Sequence, residues 1–348
     1  MKNFTYHRPT SVDGVITLLD ERWGKSELLA GGTDLHDLQK EYVAQPEKVV
    51  SLNGLGGDFR AITAKAPPGN MPPAVTIGAG VKLAEIAESK ELSAYPALAT
   101  AAGMIAGPQI RNMGTLGGSL CQRNRCWYFR DEHVNCLLKG GRKCFAQEGE
   151  NEYHAIFTQG HPCVIVHPST LAPPLIALGA TARVVGPKGE RELPVEKLFQ
   201  APVKETQREH TLAPNEVLFS VTIPVPPNIP QFAKFCNASY EVKHRETNEW
   251  PLVQAAVAFH FEKDGKVAKS VRVVLGHVAP TPLVSEAAAK ALEGKEVTPE
   301  TAAAAGKAAC EGVRPLSQNA YKVNLLAVAV KRAALTAAGA KKDWEATP

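Results

Sequence analysis

Thiols are the first residues in this sequence that ask for chemistry. Cys121, Cys126, Cys136, Cys144 and Cys163 crowd between positions 121 and 163, while Cys236 and Cys310 stand alone. A disulfide framework normally runs through a short secreted chain, so a regional cluster of this kind points instead to a local ligand set. The spacing is Cys121-x4-Cys126-x9-Cys136-x7-Cys144-x18-Cys163. Structural zinc favours tight C-x2–4-C pairs. A plant-type [2Fe–2S] loop needs C-x4-C-x2-C, and Phe129 holds its third position here. A [4Fe–4S] cluster tolerates wide spacing, because each iron takes one thiolate. Between 121 and 145, six Lys and Arg face only Asp131 and Glu132, a surplus that suits an anionic cluster. Trp127, Tyr128 and Phe129 offer the apolar shielding that controls solvent access. Two other readings stay open: buried free thiols in a basic loop, and an RNA-binding patch in which "RNRCWYFR" stacks on bases.

Glycines supply the second chemical signal. In "LLAGGTDLHDLQK" a strand runs into Gly31 and Gly32, with Thr33 placed to cap a helix beginning at Asp34. In "AGPQIRNMGTLGGSL" the glycines are Gly107, Gly114, Gly117 and Gly118. Bare backbone amides in front of a helix attract phosphate oxygens, so two such loops can clasp a pyrophosphate from two sides. The alternative is a pair of plain strand-to-helix turns. No G-x-x-x-x-G-K-[ST] is present, and "GAGVKL" has Leu83 where a dinucleotide fingerprint needs its third glycine. Neither H-E-x-x-H nor G-x-S-x-G occurs.

The elements that must position these residues are those of an ordinary globular protein. The chain has 348 residues, 44% hydrophobic and 21% charged, with a net charge of +4. This implies two or three domains and neither a nucleic-acid nor a membrane-surface partner. No apolar run reaches the roughly 18 residues of a membrane span, and the start lacks an apolar export signal. The sequence alone therefore predicts a soluble, cytoplasmic protein without membrane insertion, or a periplasmic one if a signal-bearing partner exports it. Periodicity predicts a helix over 10–20 and strands at "SELLA", "EKVVSLNG" and "AVTIGAG", the last two separated by an exposed "AKAPPGNMPP" loop. Helices follow at "KLAEIAESKEL" and "YPALATAAGMIA", making residues 1–120 mixed α/β. Strands are expected at "PCVIVHPS", "TARVVGP" and "EVLFSVTIPVP", then a domain boundary at "PVPPNIP". Beyond it come a two-stranded unit about "KDGK" and helices near 284–293, 298–312 and 318–338.

Taken in order, "AGGTDL", "RNMGTLGGSL", "HPSTLAPPLIALGA" and "NEVLFSVTIPVP" resemble the FAD-binding middle subunit of the xanthine dehydrogenase family of molybdenum hydroxylases, over nearly the whole chain. Most members run directly from "GGSL" into the strand before "PSDLAP". The insertion here is similar to that in FAD subunits of bacterial periplasmic aldehyde oxidoreductases, and more distantly to the β subunit of 4-hydroxybenzoyl-CoA reductase. Those subunits hold an additional [4Fe–4S] cluster.

This resemblance implies cluster ligands at Cys126, Cys136, Cys144 and Cys163, with Cys121 surplus. It implies FAD contacts at Ala30, Gly31, Gly32, Thr33, Asp34 and Leu35, and at Thr115, Gly117, Gly118 and Ser119. Ser169, Thr170 and Leu171 stand where relatives read "SDL" beside the flavin, so one carboxylate is missing. Lys243, with Arg245, would bring positive charge near the flavin.

The implied fold is α+β: a two-subdomain FAD-binding fold of the vanillyl-alcohol-oxidase/PCMH type, then a C-terminal antiparallel sheet with helices. Its parts would be 1–54, 55–228 with the cluster loop at about 121–163, 229–340, and a tail at 341–348. The implied function is an oxidoreductase subunit that needs no catalytic acid or base of its own. It would pass electrons from a molybdopterin-binding large subunit and a small subunit with two [2Fe–2S] clusters through FAD to an external acceptor, in aldehyde oxidation. A reductase or xanthine-dehydrogenase-like role is the alternative within the family. A cysteine scaffold or RNA-binding protein without flavin is the alternative outside it.

Overall fold

A computed structural model describes residues 1–65, 73–225, 232–245, 248–263 and 265–340, the side chains of 232 and 233 excepted. Three sheets organise it. The first is parallel, with Lys48–Ser51 between Thr5–His7 and Ser26–Leu29. Parallel neighbours need a crossover. Helix Leu35–Lys40 lies in the one from Ser26–Leu29 to Lys48–Ser51, while helix Val12–Leu18 links the two outer strands; it is begun by Ser11, whose Oγ accepts from Gly14 N at 3.2 Å, and it buries Val15.

The second sheet is antiparallel, in the order Ile62–Lys65, Ala74–Gly78, Val217–Ile223, Thr181–Gly186, Gly189–Pro194. It shares one apolar core with helices Leu83–Glu88 and Pro96–Gly103. The third sheet, also antiparallel, runs Leu283–Val284, Ala268–Gly276, Val253–Glu262, Phe232–Val242. Helices Glu286–Leu292, Pro299–Ala308 and Tyr321–Ala337 share its core.

Strand Val253–Glu262 joins the two cores, through the alternation that a strand imposes on its side chains. Val253, Ala255, Val257, Phe259 and Phe261 enter the C-terminal core. Ala256 and Ala258 enter the other, and side chains that small leave room for helix Ala172–Ala177 to approach. The α+β class and the antiparallel C-terminal sheet are as the sequence predicts.

One expected strand is absent. Residues 163–169 of "PCVIVHPS" are buried but irregular, and their partners are loop groups: Val164 O accepts from Ala155 N at 3.0 Å and His167 N donates to Ala279 O at 3.0 Å. Pro162 and Pro168 bracket the apolar run and remove two ladder donors. Parts of three other expectations lie outside the described residues: 66–72 of the exposed loop, 226–230 of the boundary segment, and 264 in the "KDGK" turn. The tail at 341–348 lies wholly outside them. No helix among the described residues is long and apolar enough to cross a membrane.

Candidate functional site

The first glycine loop leaves the carboxyl end of strand Ser26–Leu29, and the second packs directly against it. A Cβ on Gly31 would lie 2.1 Å from Met113 O. Only glycine permits that approach. Gly32 has φ +78°, a left-handed conformation that likewise favours glycine. The second loop is tied down in turn: Lys82 Nζ donates to Met113 O at 3.0 Å, Leu83 N to Gly114 O at 3.0 Å and Gly117 N to Ala79 O at 2.9 Å. Thr115 then caps helix Leu116–Cys121, its Oγ1 accepting from Gly118 N at 3.1 Å.

Between the loops lies a cavity of about 500 Å3. Ala30, Gly31, Gly32, Thr33, Asp34 and Leu35 form one wall, and Thr115, Gly117, Gly118 and Ser119 another. Thr170 and Lys243 also line it. Ser169 stands one layer behind, its Oγ 3.2 Å from Ser119 Oγ, and Leu171 is buried in the main core. Arg245 is exposed and reaches Glu249 at 3.6 Å, outside the lining of the cavity.

Three local expectations change. Asp34, not Thr33, occupies the N-cap of helix Leu35–Lys40, and its carboxylate makes no capping bond. It turns to the start of the cysteine region, accepting from Arg123 N at 2.9 Å and from Arg130 Nη2 at 2.6 Å. Lys243 is not a free charge: Glu241 Oε2 lies 2.9 Å from its Nζ, with both side chains almost fully buried. Burial pushes Glu241 above the usual carboxylate range, and Lys243 and Thr170 pull it back. Thr170 thus has a buried carboxylate neighbour, supplied by strand Phe232–Val242.

Glu27, on the same cavity wall, was not singled out by sequence reasoning. Burial raises it to about 7, and Arg208, stacked over Trp23, pairs with it at 2.7 Å. A glutamate inside the short buried run "SELLA" was the available signal.

All seven cysteines are free thiols. Cys126, Cys136 and Cys144 each precede a short helical turn, at Trp127–Arg130, Leu137–Lys139 and Phe145–Gln147. Backbone amides of those turns favour each thiolate, against burial that pushes Cys126 up to about 12 and also raises Cys136. Cys163 is hydrogen-bonded to Cys144, which lowers Cys144 and raises Cys163, and Cys126 lies within electrostatic reach of Cys136, Cys144 and Cys163. Cys136 and Cys163 share one small buried apolar cluster, with Cys126 packed against it. Cys121 packs apart from them, against the main core and the cavity, and burial pushes it up to about 12.

His154 Nε2 sits 3.2 Å from Cys126 Sγ, under the edge-on ring of Trp127 at 5.1 Å. Burial holds His154 down to about 4, so the ring is neutral at pH 7. Among the described residues, no group of three or more His, Cys, Asp or Glu is arranged to hold a single metal ion. A four-iron cluster poses a different requirement, since its thiolates bind four separate irons rather than one.

A two-loop cradle on an α+β scaffold, followed by a separate sheet-and-helix unit, defines a flavoprotein subunit, and sequence comparison agrees. Residues 2–226 match the family described as FAD binding domain in molybdopterin dehydrogenase, and residues 238–337 match the CO dehydrogenase flavoprotein C-terminal domain. The chain belongs to the FAD-binding medium subunits of the molybdenum hydroxylases, a family of oxidoreductase subunits.

Among its relatives, the aldehyde oxidoreductase FAD-binding subunit PaoB of Escherichia coli (strain K12) is 30% identical over 329 residues, 93% of this chain and 95% of that one. The carbon monoxide dehydrogenase medium chain of Hydrogenophaga pseudoflava is 30% identical over 343 residues, 97% and 98% of the two chains. A solved structure of carbon monoxide dehydrogenase from Hydrogenophaga pseudoflava, lacking the Mo-pyranopterin moiety, superposes with a TM-score of 0.71 at 28% identity, covering 97% and 98%.

Proposed function

We propose that this chain carries FAD and a [4Fe–4S] cluster as the electron-transfer subunit of a molybdenum hydroxylase that oxidises aldehydes. Its partners would be a molybdopterin-binding large subunit and a small subunit with two [2Fe–2S] clusters. The similarity to a subunit named for aldehyde oxidoreductase supports the substrate class. The observation that carries the reading is local: segment 114–130 forms one wall of the glycine-loop cavity and then delivers Cys126 to the group of four thiols. Within the family, the functional division would be 1–54 and 55–228 for the flavin, with the cluster loop at about 121–163, and 229–340 as the C-terminal unit.

When bound, FAD would exchange electrons in pairs or singly, and the cluster would exchange them singly. The chain's own residues hold and tune. Ala30–Leu35 would supply the amide donors for an anionic ligand, whereas the amides of Leu116–Ser119 are spent on Val81 O, Ala79 O and Thr115, so the second loop contributes the shape of its wall. Thr170, with Glu241 and Lys243 behind it, supplies a polar edge whose net charge is close to balanced.

The cluster ligands would be Cys126, Cys136, Cys144 and Cys163. Filling that site would release the protons that Cys126, Cys136 and Cys163 hold, because metal ligation requires thiolates. His154, protonated on Nε2, would then donate to the Cys126 sulfur. A donor there stabilises added negative charge and raises the reduction potential.

The test is FAD, iron and acid-labile sulfide per chain after anaerobic purification with the co-encoded partners. One FAD with about four irons and four sulfides is the expected result. FAD without iron would remove the cluster and leave the flavin subunit.

A further inference from the structure

Two acidic residues on the flavin side grip two arginines on the cysteine side. Asp34 ends the first glycine loop, and Asp37 lies one turn into helix Leu35–Lys40. Arg130 spans both, with Nη2 2.6 Å from Asp34 Oδ1 and Nη1 2.8 Å from Asp37 Oδ2. Arg125 repeats the arrangement at 3.0 Å and 3.6 Å. Planar guanidinium groups suit this bridging, because each offers two donors in a fixed fork.

The arginines flank Cys126 in sequence and are fixed to its backbone. Arg130 Nε donates to Asn124 O at 2.9 Å, and Asn124 Oδ1 accepts from Cys126 N at 3.1 Å. Asn124 is fully buried, and both its backbone N and Nδ2 donate to Glu209 Oε1, at 3.0 Å and 2.6 Å. A displacement of Cys126 therefore reaches Asp34 through a short run of directional contacts. Asp34 is also the point where the glycine loop must hold its shape.

We propose that the contacts of Arg125 and Arg130 with Asp34 and Asp37 couple the two sites, so that FAD binding and filling of the four-cysteine site favour one another. This rests on the four-cysteine reading above. Arg125 and Arg130 act as positioning residues: they set the loop that meets the flavin, through Asp34, and the loop that presents Cys126. Coupling between sites is reciprocal, so each ligand strengthens the other by the same factor.

The experiment is a flavin-fluorescence titration of deflavinated protein, in its complex, with iron content measured on each sample. In the wild type, FAD affinity is expected to fall at least about tenfold between the cluster-loaded protein and the same protein stripped by an anaerobic chelator, about 1.4 kcal/mol of coupling. In Arg130→Gln that ratio should collapse toward one, whereas Arg130→Lys, which keeps the charge but not the fork, should retain part of it. A merely structural role would weaken FAD in both iron states and leave the ratio intact. Equal affinity in loaded and stripped wild type, at verified iron content, overturns the coupling. A wild type that purifies without iron overturns the cluster reading and this proposal's reciprocal half. In that event, Arg130→Gln must still weaken FAD binding with rescue by Arg130→Lys, and failure there removes the remainder.

Discussion

The flavin cavity and the cysteine region are consecutive in the chain but built differently. The cavity walls leave or enter regular elements, and their shape comes from backbone against backbone: Gly31 on Met113 O, Gly117 N on Ala79 O, Leu83 N on Gly114 O. Between Gln122 and Val164 the only regular pieces are the short turns Trp127–Arg130, Leu137–Lys139 and Phe145–Gln147. Side chains borrowed from elsewhere hold that region. Glu209 takes Arg123 and Asn124, Asn319 Nδ2 serves His154 O and Ala155 O, and Lys322 Nζ donates to His154 O at 3.1 Å and His277 O at 2.7 Å.

The contrast teaches where each region stores its shape. Closed backbone contacts give the cradle its form before any ligand arrives. The insertion depends on a dispersed polar network of side chains.

The largest effect should follow from breaking the cradle. Gly31→Val places a Cβ where Met113 O already stands, so the two loops must part. FAD affinity should fall at least about 100-fold, near 2.8 kcal/mol, read by the flavin-to-protein ratio after gel filtration. Iron should fall less than FAD. Full flavin retention would show that the loop contact does not shape the site.

Next comes the converse. Cys163→Ser should take iron from about four per chain to nearly none, while the chain still folds, because serine matches the thiol in size. Cys121→Ser should keep its iron. Loss of iron from Cys121→Ser alone would exchange the ligand assignment.

Acid tests both regions together. Burial holds His154, His167 and His210 near 4, against about 6.5 in an unfolded chain. As pH falls from 6.5 toward 4, the unfolded chain binds protons that the folded one refuses, so stability drops through that window and is unaffected above it. Each histidine contributes up to about 1.4 kcal/mol per pH unit there. Glu27, raised to about 7, works the other way: its folded form gains a proton as pH falls toward 4.5, which offsets one histidine. The net slope should be on the order of 1–3 kcal/mol per pH unit in urea unfolding. His210→Gln should reduce it, and an unchanged slope would mean that His210 is not held neutral.

Much of the flavin cradle was legible in the sequence because its signal is the absence of side chains. Gly31, Gly32, Gly117 and Gly118 mark where backbone must come close, and each lines the cavity. Cysteine spacing was equally visible. Residues 163–169 misled, since Val164, Ile165 and Val166 have the composition of a strand, while the prolines that deny it a ladder sit at its ends. Asp34 was legible as a loop residue but not as a partner of Arg130, because an ion pair across such a separation in sequence leaves no local pattern. Glu241 escaped for the same reason: nothing in the sequence says that it faces Thr170.

The smallest expected effect concerns that last pair. Thr170 lines the cavity where the sequence resemblance implies an acidic residue, and its Oγ1 lies 3.4 Å from His277 Nε2, with its carbonyl accepting from Gln254 Nε2 at 2.8 Å. Glu241 already brings a buried carboxylate to this point, balanced by Lys243 at 2.9 Å. Thr170→Asp therefore does not restore a missing group but adds a second carboxylate to a site with one counter-charge. Like charges in a buried site oppose joint ionisation, so FAD affinity should weaken by roughly three- to tenfold, about 0.7–1.4 kcal/mol. Adding Glu241→Gln should return most of that loss, because the new aspartate then takes over the pairing with Lys243. If Thr170→Asp alone tightens FAD, Glu241 does not stand in for the absent carboxylate, and this edge of the cradle is open to a side-chain contact that the backbone loops do not provide.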